Sequence, residues 1–277
     1  MIKKYLLLIL FIACCTEASD PFRWIDTLPK PWTLNDQEFE YHLKRIHEQY
    51  SEFDSKLIAI NLWRVGTPYG LYCLGEENEK DKDPVIRYDS SDCTVHVLTT
   101  LAYANSNSLE NAKNNMIEIH YKPNKQNVRV PSYNYRWHFT SDRILNHPMN
   151  INITDLIIDP QFTEQVDIEL NKKQNGQFFL DMDWSLNETI SFIPSEKIDA
   201  GVLKKLPPVC GIAFVKKDYF RLGIVIAHEG YVLNRSNLVH ASSELKETVN
   251  VDLLDYIKQD GNYRFDGAMF FELDPIN

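Results

Sequence analysis

Ser91-Asp92-Cys93-Thr94-Val95-His96-Val97-Leu98-Thr99-Thr100-Leu101-Ala102-Tyr103-Ala104 is the stretch that decides how this chain folds. Cys93, Val97, Thr100, Leu101 and Ala104 recur at helical spacing, and Ala, Leu and Thr dominate the run, which predicts a buried helix with Cys93 in its first turn. A cysteine placed there meets free backbone N–H groups and the positive end of the helix dipole, and both favour the thiolate. Buried helix cysteines are common, so position alone leaves a packing role open.

Upstream, Thr33-Leu34-Asn35-Asp36-Gln37-Glu38 offers a Thr or Asn cap with acidic residues in the first turn, and Phe39, Leu43, Ile46 and Tyr50 follow at helical spacing. A second helix is predicted over residues 55–63, stopped by Gly66-Thr67-Pro68. The acidic residues 76–83 read as a solvated loop. Downstream, residues 122–184 have mixed texture, with Asn-rich turns and the aromatic cluster Tyr133, Tyr135, Trp137 and Phe139. They read as an inserted region walling a groove, with an ordinary packed aromatic cluster as the alternative.

The last third changes to strand grammar. Residues 211–215, 222–227, 231–233 and 238–241 are short apolar runs, separated by Lys216-Lys217-Asp218, His228-Glu229-Gly230 and Asn234-Arg235-Ser236, and they predict an antiparallel meander. An amphipathic stretch over 251–257 and a closing strand over 267–273 complete the chain. A cysteine-bearing helix followed by an antiparallel sheet carrying histidine is an α+β order that suits a cysteine hydrolase.

The N-terminus has Lys3-Lys4, an apolar run over residues 6–13 and then small residues, which reads as a secretory signal over residues 1–18 cleaved after Ala18. The apolar run is shorter than the roughly 20 residues of a membrane span, so no span is expected in the mature form. A lipid anchor at Cys14 is the alternative ending. The expected location is therefore exported and periplasmic, with an outer-membrane lipoprotein as the variant. With 29 Lys+Arg against 39 Asp+Glu the net charge is -10, the wrong sign for gripping nucleic acid, and no basic run compensates. Of the five cysteines, Cys73, Cys93 and Cys210 lie beyond the signal, and an odd number in an oxidising compartment leaves at least one thiol unpaired. No Cys-x-x-Cys pair, His-Glu-x-x-His helix, Gly-x-Ser-x-Gly elbow or phosphate loop occurs, so no metal site is expected.

Five short words occur in order: Gly66-Thr67-Pro68-Tyr69, Ser91-Asp92-Cys93-Thr94, Arg136-Trp137-His138-Phe139, Leu222-Gly223-Ile224 and His240-Ala241-Ser242-Ser243. Together they resemble the bacterial N-acetylmuramoyl-L-alanine amidase-like family, a branch of the papain-like, NlpC-type peptidoglycan cysteine hydrolases, over about residues 55–273. The resemblance implies a papain-like α+β fold over residues 55–277, with an insertion at about 122–184 and an N-terminal extension, residues 19–54, carrying a helix. It also implies no cofactor and hydrolysis of an amide bond in peptidoglycan or muropeptides. It places Cys93 as nucleophile, His240 as base or orienter, and Tyr69, Asp92, Arg136, Trp137, His138 and Ser242 along the substrate groove.

The family's base histidine opens a His-Val-Gly-Ile strand, and aligned on Leu222-Gly223-Ile224 that position holds Arg221. A guanidinium stabilises an anion but, with a pKa above about 12, does not shuttle protons. Two readings follow: an enzyme in which His240 takes over, or a catalytically impaired pseudoenzyme that binds cell-wall fragments or a protein partner. His228 lies seven residues beyond Arg221, which in one continuous strand puts it on the opposite face and roughly 20 Å farther along. His96 sits one turn into the cysteine helix, as a candidate neighbour of Cys93 or as a buried polar residue.

Overall fold

The computed structural model describes residues 20–276. The expected signal, its cleavage point and Cys14 lie outside the described residues.

Helix α1, Asp36–Gln49, starts at Asn35, whose side chain accepts the Glu38 N–H at 3.0 Å while Glu38 accepts the Asn35 N–H at 3.0 Å. That reciprocal box satisfies two donors the helix itself cannot, and Phe39, Leu43 and Ile46 turn the buried face inward. Helix α2, Phe53–Trp63, ends with its indole N–H on the Pro29 carbonyl at 2.8 Å. Helix α3, Cys93–Ala104, is capped by Asp92, which accepts the Val95 N–H at 2.8 Å. Every residue from Val95 to Ala104 is buried, because α2, α4, β5 and β6 enclose the helix on all sides. Helix α4, Leu109–His120, begins at the Ser108 cap and buries Ala112, Met116 and Ile119 against α3.

Short elements follow: α5 Thr140–Asn146, β1 Asn150–Asn152, α6 Thr154–Ile157, β2 Glu164–Leu170, β3 Leu186–Pro194, α7 Ala200–Leu203, β4 Val209–Val215, β5 Ile226–Leu233, β6 Asn237–Ser242, β7 Glu247–Asp252, α8 Leu253–Ile257, the small pair β8 Lys258–Gln259 and β9 Asn262–Tyr263, and β10 Gly267–Leu273. The main sheet is antiparallel in the order β2-β3-β10-β4-β5-β6-β7, with β1 added on β10. Strand β4 is apolar throughout because both its faces are covered: Ala213 and Val215 join the core under α2–α4, while Ile212 and Phe214 join a second core with residues of α7 and α8. Gly211 makes room for the Phe271 ring of β10, which would lie 2.1 Å from any Cβ there.

The α+β arrangement is as read from the sequence, and three details are not. Residues 222–227 do not form a strand: Lys217–Leu222 is a 3-10 turn closed by Gly223 in the left-handed region at φ +73°, and β5 begins only at Ile226. His228-Glu229-Gly230, which reads as a turn, lies inside β5, paired with Phe214, Ala213 and Ile212 of β4. Residues 122–184 contribute strands β1 and β2 to the main sheet as well as loops.

Candidate functional site

Cys93 sits where the N-terminus of α3 meets β5. Burial is the largest influence on its thiol, the carboxylates of Glu229 and Asp92 come next, and together they push it up to about 12, while the Glu229 backbone N–H pulls the other way. The resting sulfur is therefore a protonated thiol, not the dipole-stabilised thiolate that a helix N-terminus alone favours. Asp92 explains part of the difference. Its carboxylate takes the Val95 N–H and also the Tyr72 N–H at 3.2 Å, so the helix mouth already holds an anion.

His228 lies one residue before Glu229 on β5. Its Nε2 is 2.8 Å from Nδ1 of His240 on β6, and the two rings meet edge-on at 4.7 Å between centroids. The His228 ring lies nearly parallel to Phe214 and Phe265, at 5.9 and 6.2 Å. Tyr256 of α8 packs on His240 at 4.5 Å, and its phenol, raised chiefly by burial, is raised further by the nearby Cys93, so thiol and imidazole pair share one neighbour. Burial holds His228 down to about 3 and His240 down to about 4, so both imidazoles are neutral near neutral pH.

The structure brings His240 to this place but not Arg221. Arg221 is exposed on the 3-10 turn and lines a surface depression with Val166, Lys172, Lys173 and Gln174. The sequence alignment that set it beside Cys93 assumed one continuous strand through Leu222-Gly223-Ile224, and the left-handed Gly223 breaks that strand. His228-Glu229-Gly230-Tyr231 is the word that occupies the strand next to α3. His96 is buried and bonded through Nε2 to Asn61 Oδ1 at 2.9 Å, a core histidine.

Two concavities lie in this region, one beside the neighbours of Cys93 and one over the imidazole pair. One, of about 400 Å³, is walled by Asp92 and Thr94, the two neighbours of Cys93, and by Tyr72, Arg136, Trp137, His138, Phe139 and Phe179. The other, of about 230 Å³, is lined by His228, His240, Ser242, Tyr256, Arg264 and Lys216. Arg136 is not free to grip a ligand, because its guanidinium is held by the buried Glu76 and by Asp81 at 2.8 Å. His138 donates its Nε2–H to the Tyr133 carbonyl of its own loop, 2.6 Å away, and burial lowers it to about 4. Tyr72 stands largely exposed at the rim, with a left-handed backbone at φ 54° that is rare for a tyrosine. Tyr69 is half-buried within the electrostatic reach of Cys93, and Lys246 lies over its ring at 5.7 Å. Asp142, near the same wall, is engaged by Lys122 at 2.6 Å. Cys73 and Cys210 are buried free thiols, and among the described residues no group of three or more His, Cys, Asp and Glu side chains is arranged to hold a metal.

An α+β protein that gathers a helix-mouth cysteine and a paired imidazole on the adjacent strands is the class this geometry defines. The chain belongs to the N-acetylmuramoyl-L-alanine amidase-like family, whose model matches residues 60–262. The fold is shared with a Legionella pneumophila protein at TM-score 0.69 and 21% identity, covering 87% of this chain and 97% of that one. An N-acetylmuramoyl-L-alanine amidase from Bacteroides uniformis aligns at TM-score 0.61 and 20% identity over 80% of this chain and 99% of its own. A putative xylanase from Bacteroides fragilis aligns at 0.58 and 18% over 78% and 100%. No match was found among curated proteins. Among the described residues no helix is long and apolar enough to cross a membrane.

Proposed function

We propose that this chain is an exported, papain-like cysteine amidase that hydrolyses an amide bond in peptidoglycan or muropeptides, with Cys93 as nucleophile, His228 as general base and His240 as its orienter. The observation that carries the reading is the 2.8 Å contact between His228 Nε2 and His240 Nδ1 beside the cysteine helix. When His228 Nε2–H donates to His240, its Nδ1 keeps the lone pair that accepts a proton. The Cys93 S–H proton passes to that nitrogen as sulfur attacks the carbonyl carbon, and the Cys93 backbone N–H, rather than the Thr94 and Val95 N–H groups taken by Asp92, receives the oxyanion. The imidazolium then returns the proton to the leaving amine as the C–N bond breaks. Water, deprotonated by the same imidazole, releases the acid from sulfur. A neutral thiol and a neutral imidazole at rest suit this order, since proton transfer and attack occur together once substrate is bound.

The two concavities take the two sides of the amide. Because the imidazole protonates the amine, the amine-side portion lies over the His228 and His240 pocket, whose Arg264 is already paired with Glu244 of the same lining at 3.0 Å. The carbonyl-side portion enters the aromatic-walled cavity. Arg221, whose place at the expected base position motivated the pseudoenzyme alternative, lines a different surface depression, which favours the active reading. Mass spectrometry of muropeptides incubated with the protein, with Cys93→Ala and His228→Gln run in parallel, tests the reading. Amide cleavage by the parent, none by Cys93→Ala and about 10²- to 10⁴-fold less by His228→Gln is expected; identical digests from all three would end it.

A further inference from the structure

Directly behind the thiol site lies a buried ion pair that the mechanism does not use. Glu229 is 1% exposed and Arg143 of α5 is 2% exposed, and the guanidinium Nη2 donates to Glu229 Oε2. The other carboxylate oxygen accepts the Thr94 hydroxyl at 2.8 Å and the Thr140 hydroxyl at 3.0 Å. Taking both ions out of water is costly, and apolar residues of similar size commonly give an equal or better stability, so stability alone is a poor reason for such a pair. Its geometry offers a better one. Glu229 is the residue after His228 and Thr94 is the residue after Cys93, so the 2.8 Å hydrogen bond joins the neighbours of base and nucleophile across the gap between β5 and α3. On the same face of β5, the Tyr231 hydroxyl donates to the Val97 carbonyl at 2.9 Å, a second rivet one helical turn along. Thr140 and Thr94 also wall the larger cavity, so the carboxylate touches the back of the surface the substrate meets.

We propose that Glu229 is a positioning residue: by holding Thr94, Thr140 and Arg143 on the far face of β5, it fixes the nucleophile turn of α3 against the strand that carries His228. The inference rests on the cysteine-amidase reading, and it concerns how the reacting groups are held, since Glu229 itself touches neither substrate nor the proton. A misplacement of about 1 Å between reacting groups can lower a rate on the order of 100-fold, which is the scale at stake. The charge has a second consequence. Glu229 faces Cys93 from β5, Asp92 from the helix cap, Tyr69 from the preceding loop and Tyr256 from α8, with the His228–His240 pair alongside. Removing the Glu229 charge therefore makes the thiolate easier to form, an effect a purely structural brace does not have.

Three variants test this with two readouts, turnover of muropeptides and the pH profile of Cys93 alkylation by iodoacetamide. Thr94→Val removes the hydroxyl's bond to Glu229 together with its contact to the Cys93 sulfur and leaves the ion pair intact, and about a 10- to 100-fold fall in kcat with KM changed less than about threefold is expected. Thr94→Ser keeps the hydroxyl and restores kcat to within about threefold of the parent. Glu229→Gln keeps the acceptor, strips the charge and moves the alkylation profile to lower pH. A parental kcat in Thr94→Val, or an alkylation profile in Glu229→Gln that superimposes on the parent's, overturns the proposal. Should Glu229→Gln fail to fold, the Thr94 pair still decides. If the parent cleaves no muropeptide, the amidase reading fails separately, while the alkylation profiles of Thr94→Val and Glu229→Gln continue to judge the role of Glu229.

Discussion

All eight histidines of the chain are held below the ordinary imidazole pKa, in each case chiefly by burial, so acidification sets the folded protein against the proton affinity of its own unfolded chain. His147 shows the cause most clearly. Its Nδ1 accepts the Met149 N–H at 3.1 Å while Nε2 faces the Glu118 carbonyl at 3.0 Å, so a second ring proton would break the first bond. Burial lowers His228 to about 3 and His138, His147 and His240 to about 4. A histidine with a depressed folded pKa supports the fold fully above the unfolded value of about 6.5 and loses that support as pH falls toward the folded value. At pH 5 the difference is about 2 kcal/mol for each of these four groups, or about 8 kcal/mol together, comparable with the roughly 5–15 kcal/mol that stabilises an ordinary domain. Urea unfolding followed by tryptophan fluorescence between about pH 7.5 and pH 5 measures it. The midpoint is expected to collapse between about pH 6 and 5, with a slope approaching about 5 kcal/mol per pH unit from these four sites alone. A midpoint that stays constant down to pH 5 refutes the reasoning, because it means the imidazoles take up protons in the folded state.

Arg136→Met strands the fully buried Glu76 carboxylate, so a loss of about 3–5 kcal/mol in unfolding free energy is expected, largely recovered by adding Glu76→Gln; a thermal midpoint equal to the parent's would show the pair to be dispensable. Arg221→Ala, on a surface depression lined by neither Cys93 nor the imidazole pair, is expected to digest muropeptides at the parental rate, and a tenfold loss would return Arg221 to the site.

The parts of this fold that were legible in the sequence are those whose causes are local. The α1 cap at Asn35, the inward row Phe39, Leu43 and Ile46, the cysteine at the mouth of α3 and the β10 strand all follow from residues within one or two turns of each other. The run from Phe220 to Ala227 misled for the same reason. Its composition is apolar enough for a strand, yet the first half is drawn into a 3-10 turn, with Gly223 wedged against the Lys172 backbone, which lies 2.5 Å from where a Cβ would be. Only the assembled sheet shows that strand pairing starts at Ile226.

By itself the sequence determined that a buried helix opens on Cys93 and that a histidine-bearing antiparallel sheet follows it, since periodicity and capping act over a few residues. The tertiary structure decided which histidine meets which, and that Arg143 and Glu229, 86 residues apart, share a buried charge pair behind the thiol. Such contacts depend on strand register and on the cost of desolvating each partner, and neither quantity exists until distant segments are packed together.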